Sequence, residues 1–303
     1  MISVIIPAYN TPPDWLAESL GSLQAQDYRD WEAIVTDDAS RTSILASVPE
    51  CIVADPRFSF LRHERNRGVA AARNSAARAA KGEYFFMLDP DDALEPEALG
   101  ELLGLLEASP LADCAYSDFR VFGAVSGINE LPLKEMKDML VDHWIPGPGV
   151  LMRRSLYERA GGYCEDEAFR AGNEDWDFWL SCTEAGFEAL HLARPIYRYR
   201  VSPSSLSNSP MKKRYFETAE ALYARHRKLI DDAGERERFL FDAYSFSIKR
   251  CRIADMPLVL VRGVAHSRSL RDLAILATEL ARRMAKRVIN PLRAMRSDLR
   301  ALS

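Results

Sequence analysis

The stretch EYFFMLDPDDAL, residues 83–94, sets an apolar run from Tyr84 to Leu88 directly before Asp89, Asp91 and Asp92. The run has the length and composition of a buried strand. Carboxylates crowded at its end repel one another and lose hydration, so a partner must offset them. Two partners fit: a bound divalent cation, or the N-terminus of a following helix that Asp91 or Asp92 would cap. Pro90 fixes φ and removes a donor, favouring a rigid turn that presents Asp89 and Asp91 together. Hard oxygen ligands placed this way suit Mg²⁺ or Mn²⁺ bridging a diphosphate.

Working outward, ISVIIPAYN at residues 2–10 reads as a buried strand closed near Pro7, and a helix is expected over about residues 13–24. WEAIVT at 31–36 is a second strand that ends in Asp37-Asp38. FSFLRHERN at 58–66 is a third, followed by Gly68 and the alanine-rich helix VAAARNSAARAA, with Gly82 as its stop. Strands alternating with helices predict an α/β fold with a mostly parallel sheet and helices on both faces. Such sheets bind ligands at the carboxyl ends of their strands. Both acidic clusters fall there, although Asp37 and Asp38 also suit turn or cap chemistry.

The chain has 303 residues, a formal net charge of −4 and an apolar fraction of 48%, which suits a globular α/β domain with an appendage and gives no sign of a nucleic-acid binder. Its five cysteines, Cys51, Cys114, Cys164, Cys182 and Cys251, are scattered and include no Cys-x-x-Cys pair. They argue against a disulfide framework and a zinc site, and they fit a reducing cytosol. With neither a cationic leader nor an apolar run of spanning length, the expectation is a cytoplasmic protein, soluble or peripheral on the inner face of a membrane.

Taken in order, VIIPAYN, IVTDDAS, ERNRGVAAARN, KGEYFFMLDPDD and NEDWDFW resemble the glycosyltransferase family 2 pattern over roughly residues 2–205. The resemblance implies a Rossmann-like GT-A fold and an inverting, metal-dependent transferase that moves one sugar from a nucleotide-sugar donor to a hydroxyl acceptor, a glycan or lipid-linked glycan. It implies that Pro7, Tyr9 and Asp38 line the nucleoside pocket, with Asn66 and Arg73 near the donor. Asp91 would be the principal ligand for Mn²⁺ or Mg²⁺, Asp89 and Asp92 would contact the donor or complete the metal site, and Asp175 would be the catalytic base. The chain departs from the pattern twice. Ala39 stands where the family often has Gly, a mild change if the backbone there avoids positive φ. In YRYRVSPSSLS, Arg200 stands where the family often has His; guanidinium cannot ligate a metal, so Arg200 is expected to contact the diphosphate. The rivals are a catalytically silent sugar-nucleotide-binding scaffold and a nucleotidyltransferase, the latter lacking a glycine-rich phosphate loop near the first strand.

Trp176 and Trp179 read as core rather than sugar platforms, His191 as structural or acceptor-side, and Arg153-Arg154 as surface. The stretch from Val121 to Pro148 carries no firm pattern. VSPSSLSNSP, residues 201–210, marks a boundary between a catalytic domain, 1–205, and a helical C-terminal region, 206–303. In the latter, Leu273, Ala277, Leu280, Met284 and Val288 form an apolar stripe beside Arg282, Arg283, Lys286, Arg287, Arg293, Arg296 and Arg300. That pattern fits an anionic membrane surface, packing on the catalytic domain, or contact with a second copy in a homo-oligomer.

Overall fold

The structure, a computed structural model, describes residues 1–132, 134, 136–140, 143–170, 172–202, 215–248 and 255–282. The chain divides into two compact units, Met1–Ser205 and Leu206–Ser303.

The first unit opens with β1 (Ile2–Ala8), α1 (Pro13–Gln24), β2 (Trp31–Asp37), α2 (Glu50–Val53), β3 (Phe58–Arg62), α3 (Val69–Ala79) and β4 (Tyr84–Met87). It continues with β5 (Ala93–Leu94), α4 (Ala98–Glu107), β6 (Cys114–Gly123), β7 (Gly127–Asn129), β8 (Val150–Arg153), α5 (Arg154–Arg159), α6 (Glu174–Ala185) and β9 (Ala189–Val201). The strands form one sheet in the order β3-β2-β1-β4-β8-β6-β9-β5, with β7 paired to β6. β1 runs parallel to β2 and β4, and β2 to β3. β8 is antiparallel to both β4 and β6, so the parallel half gives way to a mixed one.

Every residue of β1 is buried, as expected of a central strand covered on both faces. Ile2, Val4 and Ile6 share a core cluster with Leu16, Leu20 and Leu23 of α1 and Leu99, Leu102 and Leu106 of α4. The alanine-rich α3 packs on β1 and β2, and Ala71, Ala72 and Ala76 are fully enclosed. Phe85 and Phe86 are each 1% exposed, so truncating either to Ala would cost about 3–5 kcal/mol.

β1 has β2 on one side and β4 on the other, and the crossover between them opens a crevice at the strand carboxyl ends. Tyr9, Asp38 and Asp89 follow these three strands. Ala39 does adopt positive φ, 59°, contrary to the proviso under which its replacement of Gly would be mild. An L-residue held there costs about 1–2 kcal/mol.

The second unit contains α7 (Tyr215–Arg225), α8 (Arg227–Asp232), α9 (Arg236–Ile248), α10 (Met256–Ala265) and a helix over 270–282. On this last helix the buried side chains are Leu276 and Glu279, whereas Leu273 and Ala277 of the expected stripe are exposed. Leu258, Val261, Val264 and Leu270 are exposed as well. Met284, Val288, Arg283, Lys286, Arg287, Arg293, Arg296 and Arg300 lie outside the described residues, as do Cys251 and most of the 201–210 stretch. No helix among the described residues is long and apolar enough to cross a membrane.

Candidate active site

The chain after β4 turns at once: the Asp92 amide donates to the Asp89 carbonyl at 3.1 Å, and β5 follows. α4 begins only at Ala98, so neither Asp91 nor Asp92 caps a helix. One carboxylate oxygen from each of Asp89, Asp91 and Asp92 lies within 4.8 Å of the others. Burial, then the Asp89 charge, pushes the Asp91 carboxyl up to about 6. Asp92 is raised well above the ordinary range by burial and by both neighbours. A carboxylate cluster held this way is short of positive charge, which a divalent cation would be suited to supply.

The three carboxylates are not equivalent. Asp92 is 1% exposed; its Oδ1 accepts from the Arg200 amide and its Oδ2 from the Tyr197 hydroxyl, both at 2.7 Å. Asp89 Oδ1 accepts from Arg73 at 3.0 Å. Asp92 therefore also braces the turn, while all three carboxylates stay close enough together to be candidate ligands of one cation.

Arg200 is oriented differently from the sequence expectation of a diphosphate contact. Its Nε donates to the Asp91 carbonyl at 2.6 Å, its Nη2 pairs with Glu18, and its guanidinium lies over the Phe122 ring at 4.3 Å. It holds the acidic turn rather than standing free over the crevice. Glu18, on the polar face of α1, also binds Arg198.

Arg73 joins the acidic turn to α6. Only 4% of its side chain is exposed, and besides Asp89 it donates to Glu174 at 3.0 Å. Burial alone would lower the guanidinium, but Tyr163, Asp89, Glu174 and Asp175 together hold it above its ordinary value. Glu174 is pushed up to about 7 by burial and by the adjacent Asp175. Asn173, in the left-handed region at φ 67°, starts α6 and puts Glu174 and Asp175 in its first turn, where the helix dipole favours negative charge. Asp175 is 28% exposed, and its Oδ1 accepts from the Trp176 amide at 2.8 Å.

On the other side of the crevice, Tyr9 is 51% exposed just beyond β1, where its ring is free to stack on a planar ligand, while Pro7 is buried within the strand. Asp38 is enclosed: its oxygens accept from the Arg67 and Gly68 amides at 2.8 and 2.7 Å, and Oδ1 also meets His63 Nδ1 at 2.7 Å. These bonds fasten the start of α3, where Gly68 at φ 93° supplies a backbone that side-chain residues avoid. Through these bonds Asp38 ties the end of β2 to the loop before α3. Asp37 accepts from the Ser40 and Ile44 amides and pairs with Arg62, which is turn chemistry. Asn66 accepts from Arg170 through its carbonyl and its Oδ1, so its side chain braces a loop.

Trp176 and Trp179 are buried, and His191 is spent on Asp118 at 2.8 Å. Arg153 and Arg154 donate to backbone carbonyls rather than standing free on the surface. Tyr197, Glu18 and Glu174 enter the site without having been singled out from the sequence. Of these, Glu174 had a signal in its place beside Asp175.

The profile of Glycosyl transferase family 2 matches residues 3–170. An uncharacterized protein, y4gI, of Sinorhizobium fredii is 32% identical over 225 residues, a match spanning 72% of this chain but only 24% of that protein. The putative teichuronic acid biosynthesis glycosyltransferase TuaG of Bacillus subtilis is 27% identical, over 70% of this chain and 83% of its own length. Among solved structures, S. aureus TarS 1-349 with UDP-GlcNAc superposes with a TM-score of 0.68 at 17% identity, covering 94% and 88% of the two chains. The mannosyltransferase PcManGT of Pyrobaculum calidifontis, in complex with GDP-Man and Mn²⁺, gives 0.59 at 20% identity, covering 92% and 79%. The fold is shared with these glycosyltransferases, and with the family profile matching more than half of its length the chain belongs to glycosyl transferase family 2.

Proposed function

We propose that the chain is an inverting, divalent-metal-dependent glycosyltransferase that moves one sugar from a nucleoside-diphosphate donor to a hydroxyl acceptor in surface polysaccharide or glycolipid assembly. The observation that carries this reading is the Arg73 bridge, which ties the acidic turn at Asp89 to the helix that bears Asp175. The oxygens of Asp89, Asp91 and Asp92 suit Mg²⁺ or Mn²⁺, and the ion would stabilise charge on the leaving diphosphate as a Lewis acid. Asp92, Tyr197 and Arg200 keep the turn in register. Tyr9 offers a ring to the nucleobase. Asp175, partly exposed and bonded on one side only by a backbone amide, would take the proton of the acceptor hydroxyl as that oxygen attacks the anomeric carbon. Attack from the face opposite the diphosphate inverts that carbon. The assembly role draws on the relative named for teichuronic acid biosynthesis.

Peripheral docking on anionic lipid is part of the same proposal. The exposed Leu258, Val261, Val264 and Leu270 and the cationic sequence that follows support it.

A panel of UDP- and GDP-sugars, tested by thermal shift with and without Mn²⁺, examines the reading. A true donor at 100 times its Kd stabilises the fold by about 2.7 kcal/mol. One donor should raise the melting temperature only when Mn²⁺ is present. No response from any nucleotide sugar would overturn the proposal.

A further inference from the structure

We infer that His143 is the positioning residue of Asp175: its Nε2–H orients the carboxylate toward the acceptor hydroxyl. The inference rests on Asp175 being the base. His143 lies in the stretch whose sequence carries no secondary-structure pattern, and the fold wraps that stretch around the first turns of α6. The Trp176 indole donates to the Met139 carbonyl at 2.9 Å, and the Trp179 indole donates to the Pro146 carbonyl at 3.2 Å. Between these anchors Trp144 is 5% exposed and packs edge-on against Tyr116, with ring centroids 5.7 Å apart. Ile145 is fully enclosed.

This wrapping leaves two groups against Asp175. A Cβ on Gly147 would come 2.9 Å from Asp175 Oδ2 and 3.1 Å from its Cβ, so the backbone passes close beside the carboxylate and a larger residue there would displace it. His143 Nε2 stands 3.8 Å from the same oxygen. The ring is stacked on Trp176 at an interplanar angle of 7° and a centroid separation of 6.3 Å. The Nε2 atom is buried, and it has no hydrogen-bond partner among the described residues.

A buried imidazole nitrogen without a partner is costly, and a neighbouring carboxylate is the group that repays it. At 3.8 Å the pair is a little too long for a hydrogen bond. Such contacts commonly tighten in the ligand-bound enzyme. An anion facing Nε2 selects the tautomer that carries its proton there. With Oδ1 on the Trp176 amide and Oδ2 drawn onto His143, the carboxylate plane would be fixed, leaving its remaining lone pairs for an acceptor hydroxyl. In the transfer step the acceptor O–H proton passes to Asp175, the acceptor oxygen bonds to the anomeric carbon, and the bond to the diphosphate breaks with its electron pair on phosphate. His143 keeps its proton throughout.

The test begins without substrate. Long-range ¹H–¹⁵N NMR of labelled protein reads which imidazole nitrogen is protonated. Nε2–H is expected in the wild type, with that preference lost in Asp175→Ala. An unprotonated Nε2 in the wild type, or an unchanged pattern in Asp175→Ala, would overturn the inference. Kinetics with the donor identified by thermal shift supply the second arm. His143→Ala should lower kcat tenfold or more at unchanged donor KM. His143→Gln, which keeps an N–H at similar reach, should recover most of it. Equal loss in both variants, matched by equal falls in melting temperature, would make His143 a packing residue only. Asp175→Asn is run in parallel: if it retains turnover, the assignment of the base fails, whatever the histidine does.

Discussion

The Tyr197 hydroxyl donates to Asp92 Oδ2 at 2.7 Å, and both groups are buried. The bond joins β9 to the acidic turn from a residue 105 positions away in sequence. Together with the Arg200 amide on Oδ1, it fixes the most enclosed carboxylate of the cluster. Tyr197→Phe removes the donor and leaves a buried carboxylate underbonded, so a loss of about 1–3 kcal/mol is expected in urea denaturation. Mn²⁺-dependent nucleotide binding should weaken with it. A variant as stable as the wild type would mean that the Tyr197 hydroxyl does not hold the turn.

Without a cation the acidic turn makes stability depend on pH in a defined direction. Asp91 rises from 3.8 to about 6 and Glu174 from 4.5 to about 7, so the native state holds these protons more tightly than the unfolded chain. Between the ordinary and the raised values the native state binds more protons, and stability falls as pH rises through that window. Above it the penalty is complete. The metal-free protein should therefore lose melting temperature from these groups between about pH 4 and 7. Mn²⁺ should restore more of it at pH 7.5 than at pH 5, and Asp91→Asn should flatten both the pH dependence and the Mn²⁺ response. Melting curves across pH, with chelator or Mn²⁺, measure all three.

Arg73→Met keeps length and apolar packing against Tyr163 while removing the charge shared by Asp89 and Glu174. Breaking a buried ion pair from one side costs about 3–5 kcal/mol; the partial exposure of Asp89, 28%, puts the expectation at the lower end. Chemical denaturation checks it, and a change below about 1 kcal/mol would show that the two carboxylates do not depend on the bridge.

Much of the crevice was legible because its signals are local. The apolar run into Asp89, the strand ending at Asp37, and the alanine-rich helix after Gly68 each declare themselves within a dozen residues, and their alternation implies the parallel half of the sheet. Contacts that close the site are distant in sequence. Nothing near Asp92 announces Tyr197, and nothing near Arg200 announces Glu18 on α1. Arg200 could be read as a phosphate ligand because a guanidinium suits anions of either kind, and only the fold shows that a carboxylate and the Asp91 carbonyl already occupy it. Asp38 illustrates the same limit, since two of its carboxylate's three partners are backbone amides that any sequence carries. The stretch around His143 is held by indole-to-carbonyl bonds with no periodicity to read.

Removal of residues 283–303 tests the membrane proposal while sparing Leu276, which packs on Gly263. Sedimentation with vesicles containing phosphatidylglycerol should fall in the truncated protein. Added salt should reduce binding of the intact protein, since each surface Lys or Arg contributes about 1 kcal/mol and is screened beyond the Debye length. Donor-dependent thermal shifts should be unchanged. Equal vesicle binding by both proteins would rule the proposal out.

The assignment of Asp175 is tested most directly by comparing binding and turnover in Asp175→Asn. The substitution preserves size while removing the negative charge and with it the ability to accept a proton, so the account predicts near-normal Mn²⁺-dependent affinity for the donor, measured by calorimetry, and a fall in kcat of about 10²–10⁴-fold. Turnover within a few-fold of the wild type, at unchanged donor affinity, would contradict it.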